Sequence, residues 1–442
     1  MLFYPSYEDE MESTWDILLS DWFSRPLPTT TRRRTRPSAL PGKADAVFGM
    51  RRSGKTSLLL GELADRVERG LPRERALYLS LEDERLAGLE AAGLGGMLEA
   101  WWRRYPSVAG QECWLILDEV QEVPGWEKFV RRLIDRGGIR LAVTGSSAKL
   151  LSREIATSLR GRCVPLELLP FSLDEVLAHA GTAVHGPWPP PEAGRAALQQ
   201  ALDRYLEVGG FPEVVGLDGP SRVQMLRNYV DVVLFRDVVE RHGATNIPAL
   251  RRIVRRLVSA PATQLSVHRF HNDLKSAGVT VGKDTLYAYI EHVEDACLAF
   301  RVPMWTESER VRSANPPKTY VVDPGLAHAW SARPQPGHQL ENVVYLELRR
   351  RGGDIAWMRT KSGFEVDFVI SGHQGVSLVQ ACYELHEPET RARELRALSE
   401  AMAETGIREA TIVTRLESEE IQLSSGVVHV VPAWAWLLNF GR

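Results

Sequence analysis

Residues 49–56 read Gly-Met-Arg-Arg-Ser-Gly-Lys-Thr and match the spacing G-x-x-x-x-G-K-T. Glycines at both ends of such a loop let the backbone turn, so that its N–H groups point inward at phosphate oxygens. The lysine ammonium can contact the β- and γ-phosphates, and the threonine hydroxyl can ligate Mg²⁺. The motif predicts a site for ATP, to which we assign the residues Gly49, Arg52, Ser53, Gly54, Lys55, Thr56 and Ser57.

Two adjacent acids, Asp118 and Glu119, follow the apolar run from Trp114 to Leu117. Such a run predicts a buried strand, and in a parallel α/β sheet the ligand lies at the carboxyl ends of the strands. We expect Asp118 to hold Mg²⁺ together with Thr56, and Glu119 to polarise the water that attacks the γ-phosphate. Because the pair supplies a general base, it favours hydrolysis of ATP over binding alone.

Small hydroxyl side chains follow the next apolar run, within residues 144–147. A hydroxyl at the end of a neighbouring strand can contact the γ-phosphate or the attacking water. Thr144 and Ser146 are the candidates for this role, and Ser146 is taken as the catalytic one. An ordinary turn at the end of a strand is the alternative interpretation.

Arg160 and Arg162 flank a glycine just before another predicted strand. An arginine at a subunit interface can reach the γ-phosphate bound to a neighbour and accelerate hydrolysis by roughly 10³–10⁵. We assign both arginines as catalytic residues that act across such an interface. The alternative is a pair of arginines that are merely exposed to solvent.

The elements that must position these residues alternate between strand and helix. A helix is predicted over Lys55–Val67. Predicted strands are Ala44–Phe48, Ala76–Leu81, Trp114–Leu117, Arg140–Val143 and Cys163–Leu168. This alternation predicts a parallel sheet with helices on both faces. A Pro- and Gly-rich stretch at residues 181–194 marks a boundary or a flexible insertion.

Length and composition limit the remaining possibilities. The chain has 442 residues, which at roughly 150 residues per domain indicates about three domains. The 44% hydrophobic and 25% charged residues exclude a wholly disordered chain, and a net charge of −3 excludes a uniformly basic surface. Four scattered cysteines argue against a disulfide framework, and no apolar stretch is long enough to cross a membrane. These features favour a cytoplasmic protein. The basic strip Thr31–Pro37 is interpreted as a solvated linker, with a nucleic-acid arm as the alternative.

The motifs together resemble those of a known family, a group of bacterial and archaeal AAA-type P-loop ATPases. Their C-terminal domain, of unknown function, is related to the PD-(D/E)xK nuclease fold. Beyond the loop at residues 49–56, the segments that carry the resemblance are Leu117–Gln121, Thr144–Ser147, Ser158–Arg162, Leu169–Ser172, Gly209–Pro212, Phe235–Asp237, Glu365–Val369 and Val379–Tyr383.

The expected fold is α/β: a P-loop AAA-type parallel sheet with a helical lid, a winged-helix domain and a C-terminal α/β nuclease-like domain. The predicted boundaries are an N-terminal extension (1–43), an ATPase core (44–180), a linker and helical lid (181–245), the winged-helix domain (246–333) and the PD-(D/E)xK-like domain (334–442).

The winged-helix prediction comes from three helical patterns followed by two strand patterns between residues 246 and 330. The third helix of this fold commonly enters the major groove of DNA. We expect phosphate contacts from side chains at the start of the third helix and on the hairpin, namely Lys283, Thr285, Arg310, Arg312 and Lys318. Protein packing within an oligomer is the alternative use of this domain, because acidic residues on the third helix weaken it as a groove reader.

For the C-terminal domain, the resemblance implies a metal site with two acids and a lysine. The matching acids are Glu341 and Asp367. The strand that should end in Glu-x-Lys reads Gln380-Ala381-Cys382, and Lys361 is the only substitute considered for the missing lysine. We therefore expect a domain without nuclease activity, and we expect the fragment from about residue 336 to fold alone.

The favoured function is an ATP-hydrolysing, AAA-type oligomeric motor that remodels or translocates on DNA. Its cofactors would be ATP and Mg²⁺, and its subunits would form a ring, a hexamer being one size considered. One alternative is a nucleotide-dependent signalling or defence switch whose C-terminal half docks a partner. The second alternative is an ATP-dependent nuclease.

Overall fold

The computed structural model describes residues 7–38, 40–147, 159, 161–182, 190–372 and 375–439. The chain divides into two compact units, Met1–Leu168 and Leu169–Arg442. No helix within the described ranges is both long enough and apolar enough to cross a membrane.

The first unit is built on a five-stranded parallel sheet, which confirms the predicted architecture. Its strands are β1 (Ala44–Phe48), β2 (Ala76–Ser80), β3 (Cys113–Asp118), β4 (Ile139–Gly145) and β5 (Cys163–Glu167). Their order across the sheet is β2-β3-β4-β1-β5. Because all five strands run the same way and β4 lies between β1 and β3, the phosphate-loop motif, the acid pair and Thr144 meet at one edge of the sheet.

Helices cover both faces of this sheet. They are α1 (Tyr7–Ser24), α2 (Lys55–Glu68), α3 (Leu94–Arg104) and α4 (Trp126–Arg136). One face buries Trp101 and Phe129, and the other buries Leu59 and Leu63. Each such large side chain contributes ~1.5–3 kcal/mol on burial.

The N-terminal extension is part of the first unit and not a separate arm. Trp15, Leu18 and Leu19 of α1 are buried in the core that α3 and the sheet share. The indole Nε1 of Trp22 donates a hydrogen bond to the carbonyl oxygen of Ala76, at the start of β2 (2.7 Å). The predicted boundary at residue 43 therefore cuts through one packed body.

The second unit begins with three helices, α5 (Leu173–His179), α6 (Glu192–Val208) and α7 (Gly219–Val232), and a π-helical stretch (Val233–Glu240). The predicted ATPase core, 44–180, includes α5, whereas the division between units falls at Leu168 and Leu169.

The backbone of Gly210 lies close to Phe171 and Asp323 and is hydrogen-bonded to both. The Gly210 carbonyl accepts a hydrogen bond from the Phe171 N–H (2.7 Å), and the Gly210 N–H donates to Asp323 Oδ2 (2.6 Å). Asp323 also accepts from the Leu326 N–H (3.2 Å), and burial raises the pKa of its carboxyl group to about 6. A Cβ atom on Gly210 would lie 2.0 Å from the Phe171 carbonyl oxygen, so only glycine fits here.

Three helices and a small sheet follow, in the order expected for a winged helix. The helices are α8 (Ile247–Ser259), α9 (Val267–Ser276) and α10 (Lys283–Asp295). The sheet is antiparallel, with strands β6 (Thr263–Gln264), β7 (Ala299–Val302) and β8 (Lys318–Val321) in the order β6-β8-β7. The hairpin that joins β7 to β8 carries a short helix, α11 (Glu309–Ala314).

The remaining residues form helices around a six-stranded mixed sheet. The helices are α12 (Pro324–Trp330), α13 (Pro336–Arg351), α14 (Pro388–Thr405) and α15 (Ala433–Leu437). The strands are β9 (Asp354–Arg359), β10 (Glu365–Gly372), β11 (Gly375–Cys382), β12 (Glu409–Thr414), β13 (Glu419–Leu423) and β14 (Gly426–Pro432), in the order β13-β14-β12-β11-β10-β9.

The two predicted C-terminal domains are interlocked within the second unit. The Trp357 N–H of β9 donates to the Pro303 carbonyl (3.0 Å), and the Trp305 N–H donates to the Trp357 carbonyl (2.6 Å). The rings of Tyr320 and Tyr345 stack at 4.2 Å between centroids. A fragment that starts at residue 336 would lose these partners, which argues against the expectation that it folds alone.

We predict that Gly210→Ala destabilises the second unit. The added methyl group would overlap the Phe171 carbonyl oxygen, and overpacking of this kind costs about 3 kcal/mol. Urea denaturation followed by tryptophan fluorescence measures the free energy of unfolding. Gly216→Ala is the matched control, because its methyl group would have nothing within 4 Å among the described residues. Equal stability of the two variants would contradict this account.

Candidate nucleotide site

The loop between β1 and α2 adopts a backbone that its glycines make possible. Gly49 and Gly54 have φ angles of 152° and 95°. A Cβ atom on Gly49 would lie 2.2 Å from the Leu168 carbonyl oxygen, so this position also requires glycine for space. Gly54 is the N-cap of α2, and no described side chain caps the helix. The unpaired N–H groups of a helix start are suited to bind a phosphate.

The Lys55 ammonium is buried within this loop. Its Nζ atom donates to the carbonyl oxygens of Gly49 (3.0 Å) and Met50 (3.4 Å), and it lies 3.9 Å from Glu119 Oε1. Neutral backbone carbonyls stabilise a full positive charge less than anionic phosphate oxygens do. We therefore expect the Lys55 ammonium to exchange these carbonyls for the phosphate oxygens of a bound nucleotide.

The Asp118 carboxylate at the end of β3 accepts hydrogen bonds from three hydroxyl groups. Oδ2 accepts from Thr56 Oγ1 (2.7 Å) and from the Tyr78 hydroxyl (2.8 Å), and Oδ1 accepts from Thr144 Oγ1. Burial, together with the charge of Asp118, raises the pKa of Tyr78, so this hydroxyl stays protonated and donates. The three donors come from α2, β2 and β4, and they fix the carboxylate in place.

Glu119 follows in a strained backbone conformation. Its φ angle is 54°, in the left-handed region, which costs a non-glycine residue about 1–3 kcal/mol. Its N–H donates to Thr144 Oγ1 (2.9 Å), and its carboxylate accepts from the Gln121 side-chain amide. In this conformation the Glu119 carboxylate lies 3.9 Å from Lys55 Nζ.

The residues present fit ATP and Mg²⁺. The Ser53 hydroxyl is buried and has no hydrogen-bond partner within the described part of the chain, as expected for a group whose partner is a ligand. Thr56 and Asp118 offer the hard oxygen atoms that Mg²⁺ prefers. Arg52 and Ser57 are exposed beside them.

The remaining predicted catalytic residues are Ser146, Arg160 and Arg162. Thr144 contacts both acids, and Ser146 is buried just beyond the end of β4. Arg162 pairs with Asp135 (2.8 Å), and its carbonyl oxygen accepts from the Ala44 N–H at the start of β1 (2.8 Å). Arg162 therefore lies at the amino ends of the strands, opposite the phosphate loop. Arg160 lies outside the described residues.

The candidate nuclease residues form a second cluster, in the other unit. Lys318 Nζ donates hydrogen bonds to Asp367 Oδ1 (2.8 Å) and Glu341 Oε1 (2.9 Å) and forms an ion pair with Glu365 Oε1 (2.7 Å). Burial lowers the pKa of Lys318, but the charges of Asp367, Glu341 and Glu365 outweigh this effect and raise it well above its ordinary value. Lys318 was expected on an exposed wing, and this prediction is wrong because its ammonium is buried and fully engaged.

The three carboxylates of this cluster line a cleft of about 510 Å³ whose walls also include Gln380 and Glu394. The Gln380 amide accepts from the Asp367 N–H (3.0 Å) and donates to Glu394 (2.7 Å). Burial is the main cause that raises the pKa of Glu341, to about 8. Lys361 is exposed and is not among the residues that line the cleft, so it does not serve as the substitute lysine.

The other candidate DNA contacts lie at or near the surface. Lys283 and Arg310 are exposed, and Thr285 is half-buried at the start of α10. Arg312 is exposed and pairs with Glu309 (2.9 Å) on α11.

Comparisons with known proteins show the family of this chain. A family model described as "AAA domain" (AAA_14) matches residues 42–177, and a domain of unknown function (DUF8612) matches residues 199–336. The chain is 32% identical over 412 residues to the uncharacterized protein MJ1544 of Methanocaldococcus jannaschii, which covers 91% of this chain and 89% of the relative. The chain belongs to this family of AAA-domain proteins.

A relative from Haemophilus influenzae is 28% identical over 343 residues, covering 77% of this chain and 82% of the relative. Among solved structures, a Walker-type ATPase of Pyrococcus abyssi is similar at 14% identity and a TM-score of 0.42, covering 72% of this chain and 95% of that one. The ORC1 protein of Aeropyrum pernix, solved with DNA, is similar at 14% identity and a TM-score of 0.30, covering 74% and 92%.

Sequence reasoning missed two residues that support the site of this AAA-family chain. Tyr78 is one of them. The feature of the sequence that could have identified it is a hydroxyl-bearing residue inside a predicted buried strand. Arg33 is the other: its side chain is buried and donates to the Ser53 carbonyl (3.0 Å). The solvated-linker interpretation of the basic strip is therefore wrong at Arg33, and no local pattern distinguishes this arginine from its neighbours.

Proposed function

We propose that the protein hydrolyses ATP, and that it does so as an oligomer that acts on DNA. The observation that carries the hydrolase proposal is the arrangement around Asp118. Its carboxylate joins Thr56 of the phosphate loop to Thr144, and the adjacent Glu119 lies 3.9 Å from Lys55. A cation for the phosphates, two metal-binding oxygens and a general base are thus brought to one edge of the sheet.

Each residue has a separate role in this proposal. Lys55 and the N–H groups at the start of α2 bind the phosphates of ATP. Thr56 and Asp118 would hold Mg²⁺, which supplies positive charge beside the phosphate oxygens. Glu119 accepts a proton from the attacking water, and Thr144 fixes the Glu119 backbone in the orientation that this requires.

We predict that Glu119→Gln abolishes hydrolysis without abolishing ATP binding. The amide keeps the size of the side chain but cannot accept the proton, so the rate should fall by roughly 10²–10⁴. Release of inorganic phosphate measures the rate, and titration with a fluorescent ATP analogue measures binding.

Glu122→Gln is the control for this experiment, because Glu122 is exposed and lies only three residues away. It should hydrolyse ATP at roughly the wild-type rate. Wild-type hydrolysis by Glu119→Gln would exclude Glu119 as the base.

The position of Arg162 supports assembly into an oligomer. The phosphate loop follows the carboxyl end of β1, while Arg162 lies at its amino end, and a five-residue strand spans roughly 16 Å. Arg162 is therefore too far from the nucleotide of its own chain to serve it, and we propose that it serves that of a neighbour. Its present pair with Asp135 is half-exposed and contributes only ~0–1 kcal/mol, so it breaks easily.

A mixing experiment tests this assembly. Arg160→Ala/Arg162→Ala protein and Glu119→Gln protein should each be inactive, and a mixture should regain ATPase activity. Activity returns because some interfaces combine the intact base of one subunit with the intact arginines of another. Full activity of the arginine variant alone, in a protein that stays monomeric with ATP, would contradict the proposal.

DNA contact is supported by the element order and by exposed cations. Helices α8, α9 and α10 with the β7–β8 hairpin follow the order of a winged helix, and Lys283 and Arg310 are exposed on it. Lys318 is withdrawn from this set because it is buried.

We predict that DNA stimulates ATP hydrolysis and that Lys283→Ala/Arg310→Ala weakens the effect. Losing two phosphate contacts should lower the salt dependence of DNA binding by about two counter-ions. ATPase assays with single-stranded, duplex and branched DNA at several salt concentrations measure this.

Lys43→Ala/Lys128→Ala, two exposed lysines of the first unit, is the charge-matched control and should behave as wild type. Hydrolysis that no DNA affects would contradict the DNA proposal and would favour the nucleotide-dependent switch that docks a protein partner.

A further inference from the structure

We infer that the Lys318 ammonium occupies the position of a divalent metal ion in the C-terminal domain, so that the nuclease-like cleft is a permanently metal-free ion cluster. The fold family implies a metal held by Glu341 and Asp367. In this chain the cation between these two acids is instead a side chain of β8, a strand that belongs to the preceding three-stranded sheet.

The hydrogen bonding of Lys318 supports this directly. A lysine ammonium has three N–H donors, and here its Nζ atom contacts three carboxylate oxygens at 2.7–2.9 Å, on Glu365, Asp367 and Glu341. Two of these contacts are hydrogen bonds and the third is an ion pair, so the ammonium is surrounded by acids of the protein itself. The catalytic lysine of a nuclease must instead contact a substrate phosphate or an attacking water.

The carboxylates are equally engaged by the chain itself. Glu341 Oε1 also accepts from the Tyr320 hydroxyl (2.8 Å), and Asp367 Oδ2 accepts from the Ala381 N–H (3.0 Å). Glu365 also accepts from the Gln264 side chain (3.2 Å). A metal ion would compete with these donors for the carboxylate oxygens and would lie beside a fixed positive charge, which repels it.

Lys318 is also held in place by its strand. The Asn342 side chain of α13 accepts from the Val321 N–H (2.9 Å) and donates to the Val321 carbonyl (3.0 Å). Strand alternation places Tyr320 on the same face as Lys318, and its ring stacks on Tyr345. Because Lys318 belongs to β8 and contacts Glu365 and Asp367 of β10, the cluster also fastens the three-stranded sheet to the six-stranded one.

Manganese binding by the nucleotide-free protein of 442 residues tests this inference. Thr56→Val in every sample removes a metal-binding oxygen of the first unit, and electron paramagnetic resonance measures bound Mn²⁺. We expect no Mn²⁺ at the cluster while Lys318 is present. Lys318→Met removes the charge but keeps much of the side-chain volume, and this variant should bind about one Mn²⁺ per chain. Its melting temperature should rise with Mn²⁺, whereas that of the Lys318 protein should not.

Two results would overturn the inference. One is Mn²⁺ binding by the Lys318 protein that Asp367→Asn removes, because the cluster would then hold a metal beside the ammonium. The other is a folded Lys318→Met protein with no affinity for Mn²⁺, because the ammonium would then not occupy a metal position. If Lys318→Met does not fold, the comparison of the Lys318 protein with Asp367→Asn still decides the question.

Discussion

The carboxylate of Asp118 connects the side chains that form the nucleotide site of the first unit. It is buried at the end of a central strand, where an ionised group is costly unless it is hydrogen-bonded. Three neutral hydroxyls, from Thr56, Tyr78 and Thr144, provide those bonds. Because none of these donors carries a charge, the negative charge of Asp118 is fixed in position but not cancelled, and the edge of the sheet stays attractive to a cation.

In the second unit, buried carboxylates are stabilised by a positive charge instead of by neutral hydroxyls. Glu341 and Asp367 are also buried carboxylates, but a cation of the chain itself, Lys318, contacts both. Lys318 compensates their charge. The acids that could have formed an open ligand site instead link the three-stranded sheet to the six-stranded sheet. The two units thus show that hydrogen-bonding a buried acid and neutralising it have different consequences: the first preserves a binding site, and the second closes one.

The difference between local and distant contacts explains what the sequence could predict. The phosphate loop, the acid pair and the parallel sheet are encoded within short segments, and they were predicted. Tyr78 and Arg33 were missed because their partners, Asp118 and Ser53, are tens of residues away. Lys318 was misplaced for the same reason. Alternation along β8 puts Lys318 and Tyr320 on one face, but only the packing of α13 and β10 reveals that this face is buried.

The contact between Arg33 and the Ser53 carbonyl bears on where this ATPase domain begins. The matched AAA family model starts at residue 42, downstream of Arg33 and of Trp22. A protein trimmed to that boundary would retain every residue of the phosphate-loop motif. It would nevertheless lack Arg33, whose side chain donates to the Ser53 carbonyl of the loop, and Trp22, whose indole donates to Ala76 at the start of β2. Weak nucleotide affinity in such a shortened domain would reflect the missing support and not a defective motif.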